Sequence, residues 1–180
     1  MSTLAFVTGN AGKFRELSAV IPELIQLDVD VAEIQELDPQ AVLRHKLNTA
    51  SAHHDGPIIA EDTSLTFACL GGRLPGPFIK WFLGELKPEG LFELVSKYDD
   101  YTATARATLG YRDEHGIDHF FTGEVRGTIV APRGTAGFGW DQIFQPDGYQ
   151  QTFAEMGSTK NTMSHRYLAS QQLAAHLTKA

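Results

Sequence analysis

Apolar positions along the chain change period several times, and each change predicts an element. Thr3 to Thr8 (TLAFVT) is uncharged and rich in β-branched and apolar residues, as a strand buried on both faces would be. Phe14, Leu17 and Ile21 then recur at helical spacing, which predicts a helix from Lys13 to Val20, stopped by Pro22. A second strand is predicted over Leu24 to Val31. Asp38-Pro39 supplies an N-cap and a proline at the first helical position, and Leu43, Leu47 and Ala50 carry that helix to about His53. Pro57 to Ala60 predicts a short apolar strand ending at Glu61-Asp62, with Leu65 to Leu70 as its antiparallel neighbour. Helices are predicted from Phe78 to Leu86 and from Pro88 through Tyr98. Tyr101 to Tyr111 and Ile117 to Phe121 read as a hairpin around Asp113 to Gly116, and Glu124 to Val130 as a further strand. A last helix is predicted from Ser164 to Leu177. Helices alternating with strands in the first half, followed by a β-rich second half, predict an α/β fold with a mixed sheet.

Length and composition narrow the class. A chain of 180 residues without repeats, low-complexity segments or linkers predicts a single domain spanning residues 1–180. The net charge of −7 disfavours binding to a nucleic-acid backbone, which depends on Lys and Arg displacing counterions. A small polyanion would need locally concentrated cations or a divalent metal. Cys69 is the single cysteine and allows no internal disulfide. With no apolar run of membrane length and no leader pattern at Met1, the expectation is a cytoplasmic protein without a membrane role.

Chemistry concentrates in a few segments. TGNAGK (Thr8 to Lys13) joins a buried strand to a helix, so its backbone amides, the helix dipole and Lys13 could hold an anion. It lacks the GxxxxGK spacing of a Walker A loop and reads equally as an ordinary Gly-rich turn. Glu61-Asp62 places two carboxylates where open α/β sheets carry functional groups; they suit Mg²⁺, or Asp62 could take a proton from water. Glu33 and Glu36 are weaker candidates for the same metal. Lys46 and Lys80 are either phosphate cations or surface lysines. GFGWDQIF (Gly137 to Phe144) gathers Phe138, Trp140 and Phe144 around Asp141, and Lys160, His165 and Arg166 follow. Aromatic faces beside such donors suit a planar base, although aromatics also form cores. His53, His54, His115 and His119 lack metal-ligand spacing and read as surface histidines.

These ordered motifs resemble the inosine triphosphate pyrophosphatase (Ham1) family over nearly the whole chain. The residues that carry the likeness are TGNAGK with Glu16, EDTSL, LPGPFIKWF, LKPEGL, GFGWDQIFQPDGYQQTFAEM, and KN followed by SHR. The resemblance implies an elongated α/β structure with a mixed sheet, two lobes and a central cleft, usually as a homodimer. It implies Mg²⁺-dependent hydrolysis of ITP, dITP or XTP, purine nucleoside triphosphates, to the monophosphate and pyrophosphate. It places Thr8, Asn10, Lys13, Lys46 and Lys80 along the triphosphate, with Glu33 and Asp62 as metal ligands and Asp62 and Lys13 in the chemistry. Phe138 would stack on the base, with Trp140, Asp141, Lys160, His165 and Arg166 around its edge. Gly9, Thr63 and Gly139 complete the substrate-binding set. Alternatives are a pyrophosphatase for another modified nucleotide and a nucleotide-sensing module without turnover.

Overall fold

The computed structural model describes residues 3–179. Its strands are β1 (Ala5–Val7), β2 (Ile25–Leu27), β3 (Ile58–Phe67), β4 (Pro75–Gly76), β5 (Thr102–Arg112), β6 (Asp118–Ile129) and β7 (Phe144–Pro146). They form one mixed sheet in the order β2-β1-β3-β5-β6-β7, with β4 on β3. β1 pairs in parallel with β2 and β3, while β3–β4 and β6–β7 are antiparallel. The helices are α1 (Ala11–Ser18), α2 (Pro39–Ala50), α3 (Ile79–Val95), α4 (Phe153–Met156) and α5 (His165–Leu177). Among the described residues no helix is long and apolar enough to cross a membrane.

The chain divides into two compact units. The first holds the residues up to Asp62, Ala107–Gly123 and the chain from His165 onward; the second holds Thr63–Arg106 and Glu124–Ser164. In the first unit β1 and the start of β3 are buried on both faces, which explains the uncharged runs Ala5–Val7 and Ile58 to Ala60. Phe6 and Ile59 pack with Leu17, Ile21, Ala169 and Leu173 of the α1 and α5 side. Ile58 and Ala60 point the other way, onto Leu43, Leu47 and Ala50 of α2, as strand alternation requires. Helix α5 lies directly on β6: a Cβ at Gly123 would stand 2.1 Å from the His165 carbonyl oxygen and 2.6 Å from the Ala169 nitrogen. In the second unit Leu65, Phe67, Ile79, Leu91, Val95, Trp140, Phe144 and Phe153 share one core.

Several predicted elements change extent. β3 does not stop at Glu61-Asp62: it continues to Phe67, and Leu65 and Thr66 pair with Gly76 and Pro75. The two carboxylates therefore lie within a strand. Leu65–Leu70 is not a neighbouring strand, since its first residues extend β3 and Ala68–Leu70 forms a 3₁₀ turn. β2 is shorter than predicted, giving way where Asp28 and Asp30 interrupt the apolar run. The predicted break at Lys87-Pro88 is present inside α3, where Lys87 has φ 59° and ψ 174°. β6 is a single strand passing through Gly123.

Candidate active site

In the first unit the site is built from strand β3 outward. Glu61 and Asp62 are both buried, at 4% and 8% exposure. A charged carboxylate removed from water is stable only with partners. Glu61 has them: Arg166 donates from Nε to Oε2 at 2.6 Å and from Nη2 to Oε1 at 3.0 Å. The Lys13 ammonium lies 3.0 Å from Glu61 Oε1. Arg166 also binds Glu16 on α1 through Nη1. Burial by itself would lower the Arg166 pKa, but the charges and hydrogen bonds of Glu61 and Glu16 hold it above its ordinary value.

Asp62 is placed differently. Among the described residues its Oδ2 is a buried oxygen with no hydrogen-bond partner. Burial raises its pKa; Lys46 and Lys13 pull it back, and Glu33 and Glu61 push it further up. Lys46, on α2, ties this group together. It lies 2.7 Å from Glu33 Oε1 and donates to the Glu61 carbonyl oxygen at 3.1 Å. Glu33, in the loop before α2, is thus held near Asp62 closely enough to affect its charge.

The TGNAGK turn starts α1, with Asn10 as N-cap. Asn10 Oδ1 accepts from the Gly12 and Lys13 amides, and Thr8 Oγ1 accepts from the Asn10 amide. Three of the amides expected to face an anion, those of Asn10, Gly12 and Lys13, are therefore bonded within the turn, two of them by the Asn10 cap. Gly9 is a close-approach position, where a Cβ would lie 3.0 Å from Asp28 Oδ1.

In the second unit the loop from Gly137 to Asp141 folds around one carboxylate. Asp141 Oδ2 accepts from the Phe138 amide at 3.0 Å and from Lys160 Nζ at 2.8 Å. Lys160, 4% exposed, sets its ammonium 4.7 Å from the Phe138 ring centroid, a cation–π contact. Asp141, Lys160 and the half-buried Phe138 thus form one assembly, next to Gly139 with φ 67°. Trp140 belongs to the core instead, its ring centroid 5.5 Å from that of Phe144. Trp140 is 6% exposed. Lys80 is exposed on the first turn of α3, 6.0 Å from the ring of the exposed Trp81. Thr63 is half-buried on β3, and His165 is buried at the start of α5. Arg166, expected among the base-edge donors, has Nε, Nη1 and Nη2 on carboxylates.

The sequence offers Glu61 with Asp62 as a carboxylate pair for Mg²⁺, yet in the fold the Glu61 carboxylate meets two cations, Lys13 and Arg166. The available signal was an acid directly after the apolar run Ile58-Ile59-Ala60, which buries it and demands a cation.

A mixed-sheet α/β enzyme fold with buried, cation-flanked carboxylates is the class these features define. The profile of the Ham1 family matches residues 4–176, and the chain belongs to that family. The Ham1 protein of Staphylococcus aureus superposes with a TM-score of 0.82 at 25% identity, covering 98% of each chain. A HAM1 protein from Coxiella burnetii gives 0.80 at 26%, covering 100% of each. A protein of Mycobacterium abscessus described as a nucleoside-triphosphatase / dITP/XTP pyrophosphatase gives 0.73 at 24%, over 97% of this chain and 98% of its own, and shares the fold.

Proposed function

We propose that this Ham1-family hydrolase converts non-standard purine nucleoside triphosphates (ITP, dITP and XTP) to the monophosphate and pyrophosphate, with Mg²⁺ as cofactor. The observation that carries the reading is Asp62, a buried carboxylate with a bare Oδ2, flanked by Lys13, Lys46 and Glu33.

The donor set fits a divalent cation. Mg²⁺ takes one or two carboxylates and completes its shell with water and substrate phosphate, so Asp62 and Glu33 suffice without a third acidic ligand. When bound, it would offset charge on the polyphosphate. Lys13 and Lys46 supply fixed positive charge for phosphate oxygens, with Thr8, Gly9, Asn10, Thr63 and Lys80 as the remaining phosphate-side residues. Asp62 orients the attacking water and accepts its proton at Oδ2. Phe138 provides a ring face for the base, and Lys160 offers a donor that prefers a 6-oxo acceptor to the amino donor of adenine. Arg166 is assigned to holding Glu61, Asp141 and Gly139 to shaping the loop that carries Phe138, and His165 to the buried start of α5. We place the enzyme in the cytoplasm as a homodimer, on the family resemblance. Sedimentation of the purified chain tests the dimer.

The decisive experiment separates products from ITP, XTP, GTP and ATP, with and without Mg²⁺. IMP plus pyrophosphate, dependent on Mg²⁺ and with ATP nearly inert, is the expected outcome. IDP plus orthophosphate would refute the bond assignment. Failure to turn over any of the four would refute the purine reading.

A further inference from the structure

The position before Asp62 gathers all the cations of the first-unit cluster. The Glu61 carboxylate meets Lys13 and, on both oxygens, Arg166; the Glu61 carbonyl meets Lys46. Its side chain is 1% exposed, so none of these contacts is a screened surface pair. Lysine carries a flexible stem whose rotamer freedom is lost each time its ammonium is fixed. A lysine already tethered at one N–H has spent much of it and keeps two donors for a ligand. Arg166 holds Glu61 on both carboxylate oxygens and is itself held by Glu16, so the Glu61 carboxylate is fixed in place before it meets Lys13. The group of two acids and two bases sums to zero, so what Glu61 gives Lys13 is position and not added charge.

We infer that Glu61 is a positioning residue: held by Arg166, it fixes the Lys13 ammonium for a polyphosphate and acts on the ligand only through Lys13. The inference rests on the phosphate role of Lys13 proposed above, and deepens it.

The test is a double-mutant cycle with Glu61→Gln, Lys13→Met and the pair, plus Glu61→Asp. Two readouts are used: affinity for inorganic tripolyphosphate by calorimetry, and kcat and KM on ITP. Urea midpoints record folding separately. Glu61→Gln should weaken tripolyphosphate binding about tenfold, but change it less than about twofold once Lys13 is Met, because coupled residues are non-additive. Glu61→Asp, which keeps the charge, should recover part of the loss. A purely structural role would instead lower the urea midpoint and penalise both backgrounds equally. Equal penalties, or native affinity in folded Glu61→Gln, would overturn the inference. If Glu61→Gln fails to fold, the cycle is run with Glu61→Asp, and additivity there overturns it in the same way. Wild-type protein that ignores ITP yet binds tripolyphosphate non-additively would sink the proposed reaction and leave Glu61 as assigned. Wild-type protein that does not bind tripolyphosphate would overturn the inference itself.

Discussion

Asp62→Asn separates chemistry from binding at a single atom. The amide keeps the size of the carboxylate but cannot accept a proton at neutral pH, so kcat on ITP should fall roughly 10²- to 10⁴-fold, the usual contribution of a general base. Tripolyphosphate affinity without metal should stay within a few-fold, since Lys13 and Lys46 remain. Native turnover would remove Asp62 from the mechanism. Gly137 is the second diagnostic position. It has φ 79°, and a Cβ there would stand 2.2 Å from Asp141 Oδ2, the atom that binds both the Phe138 amide and Lys160. Gly137→Ala should cost roughly 1–3 kcal/mol through left-handed strain and displacement of that carboxylate. Its KM for ITP should rise more than kcat falls, if Phe138 binds the base; denaturant midpoints and steady-state kinetics check both parts. Residue types and order single out Asp62, Lys13, Lys46, Glu33, Phe138 and Lys160 as candidates, and the fold brings Lys13, Lys46 and Glu33 around Asp62 and Lys160 onto the Phe138 ring. Which of the motif aromatics and cations were committed to the protein itself was not legible. Trp140 and Arg166 look like pocket residues in one dimension, and only packing reveals that one is core and the other is held by two acids.

Between β5 and β6 the chain turns on Asp113, whose Oδ1 accepts from the His115 and Ile117 amides while Oδ2 meets His119 Nε2 at 2.9 Å. The His119 hydrogen bond, chiefly, with the Ile117 amide next, holds the Asp113 pKa down to about 2, against an ordinary 3.8. For a carboxylate depressed on folding, the stabilisation is complete above the unfolded value and is lost as pH falls through the folded one. The wild-type melting temperature should therefore drop between pH 4 and pH 2 by more than that of Asp113→Asn, and an equal slope would show the turn to be neutral. The turn itself was readable, because Asp113 to Gly116 interrupts two alternating runs. So were α2, through Asp38-Pro39, and the break in α3, through Pro88. β7 and α4 were missed: three residues and four residues are too short for a period, and their support comes from distant partners. Thr152-Phe-Ala-Glu155 was a capping-box signal for α4, and both of its reciprocal bonds form. The end of β3 was misplaced because a pair of acids was read as a boundary, whereas buried cations allow the strand to run through them.

At the scale of the whole molecule the question is whether the two compact units behave as one domain. The chain passes between them after Asp62, Arg106, Gly123 and Ser164, so neither unit is a continuous segment. Three of these passages fall inside strands β3, β5 and β6. A strand is stabilised by its ladder on either side of such a point, and melting one unit alone would require three strands to unpair partway along their length. The free ends so created would still be anchored in the folded remainder, gaining less conformational entropy than a released segment does. Independent melting is therefore disfavoured twice, by lost pairing and by restricted entropy. Calorimetry should give one transition with the van't Hoff enthalpy equal to the calorimetric value. At about 0.7 kcal/mol per residue near 60 °C, that enthalpy should be roughly 130 kcal/mol. Two resolved transitions, each with about half of it, would establish separate domains and end the single-domain reading. A single transition would mean that a core substitution in the second unit, such as Phe144→Ala, lowers the melting of the first unit's Asp62 segment by the same amount, which hydrogen exchange along β3 can follow on either side of Asp62.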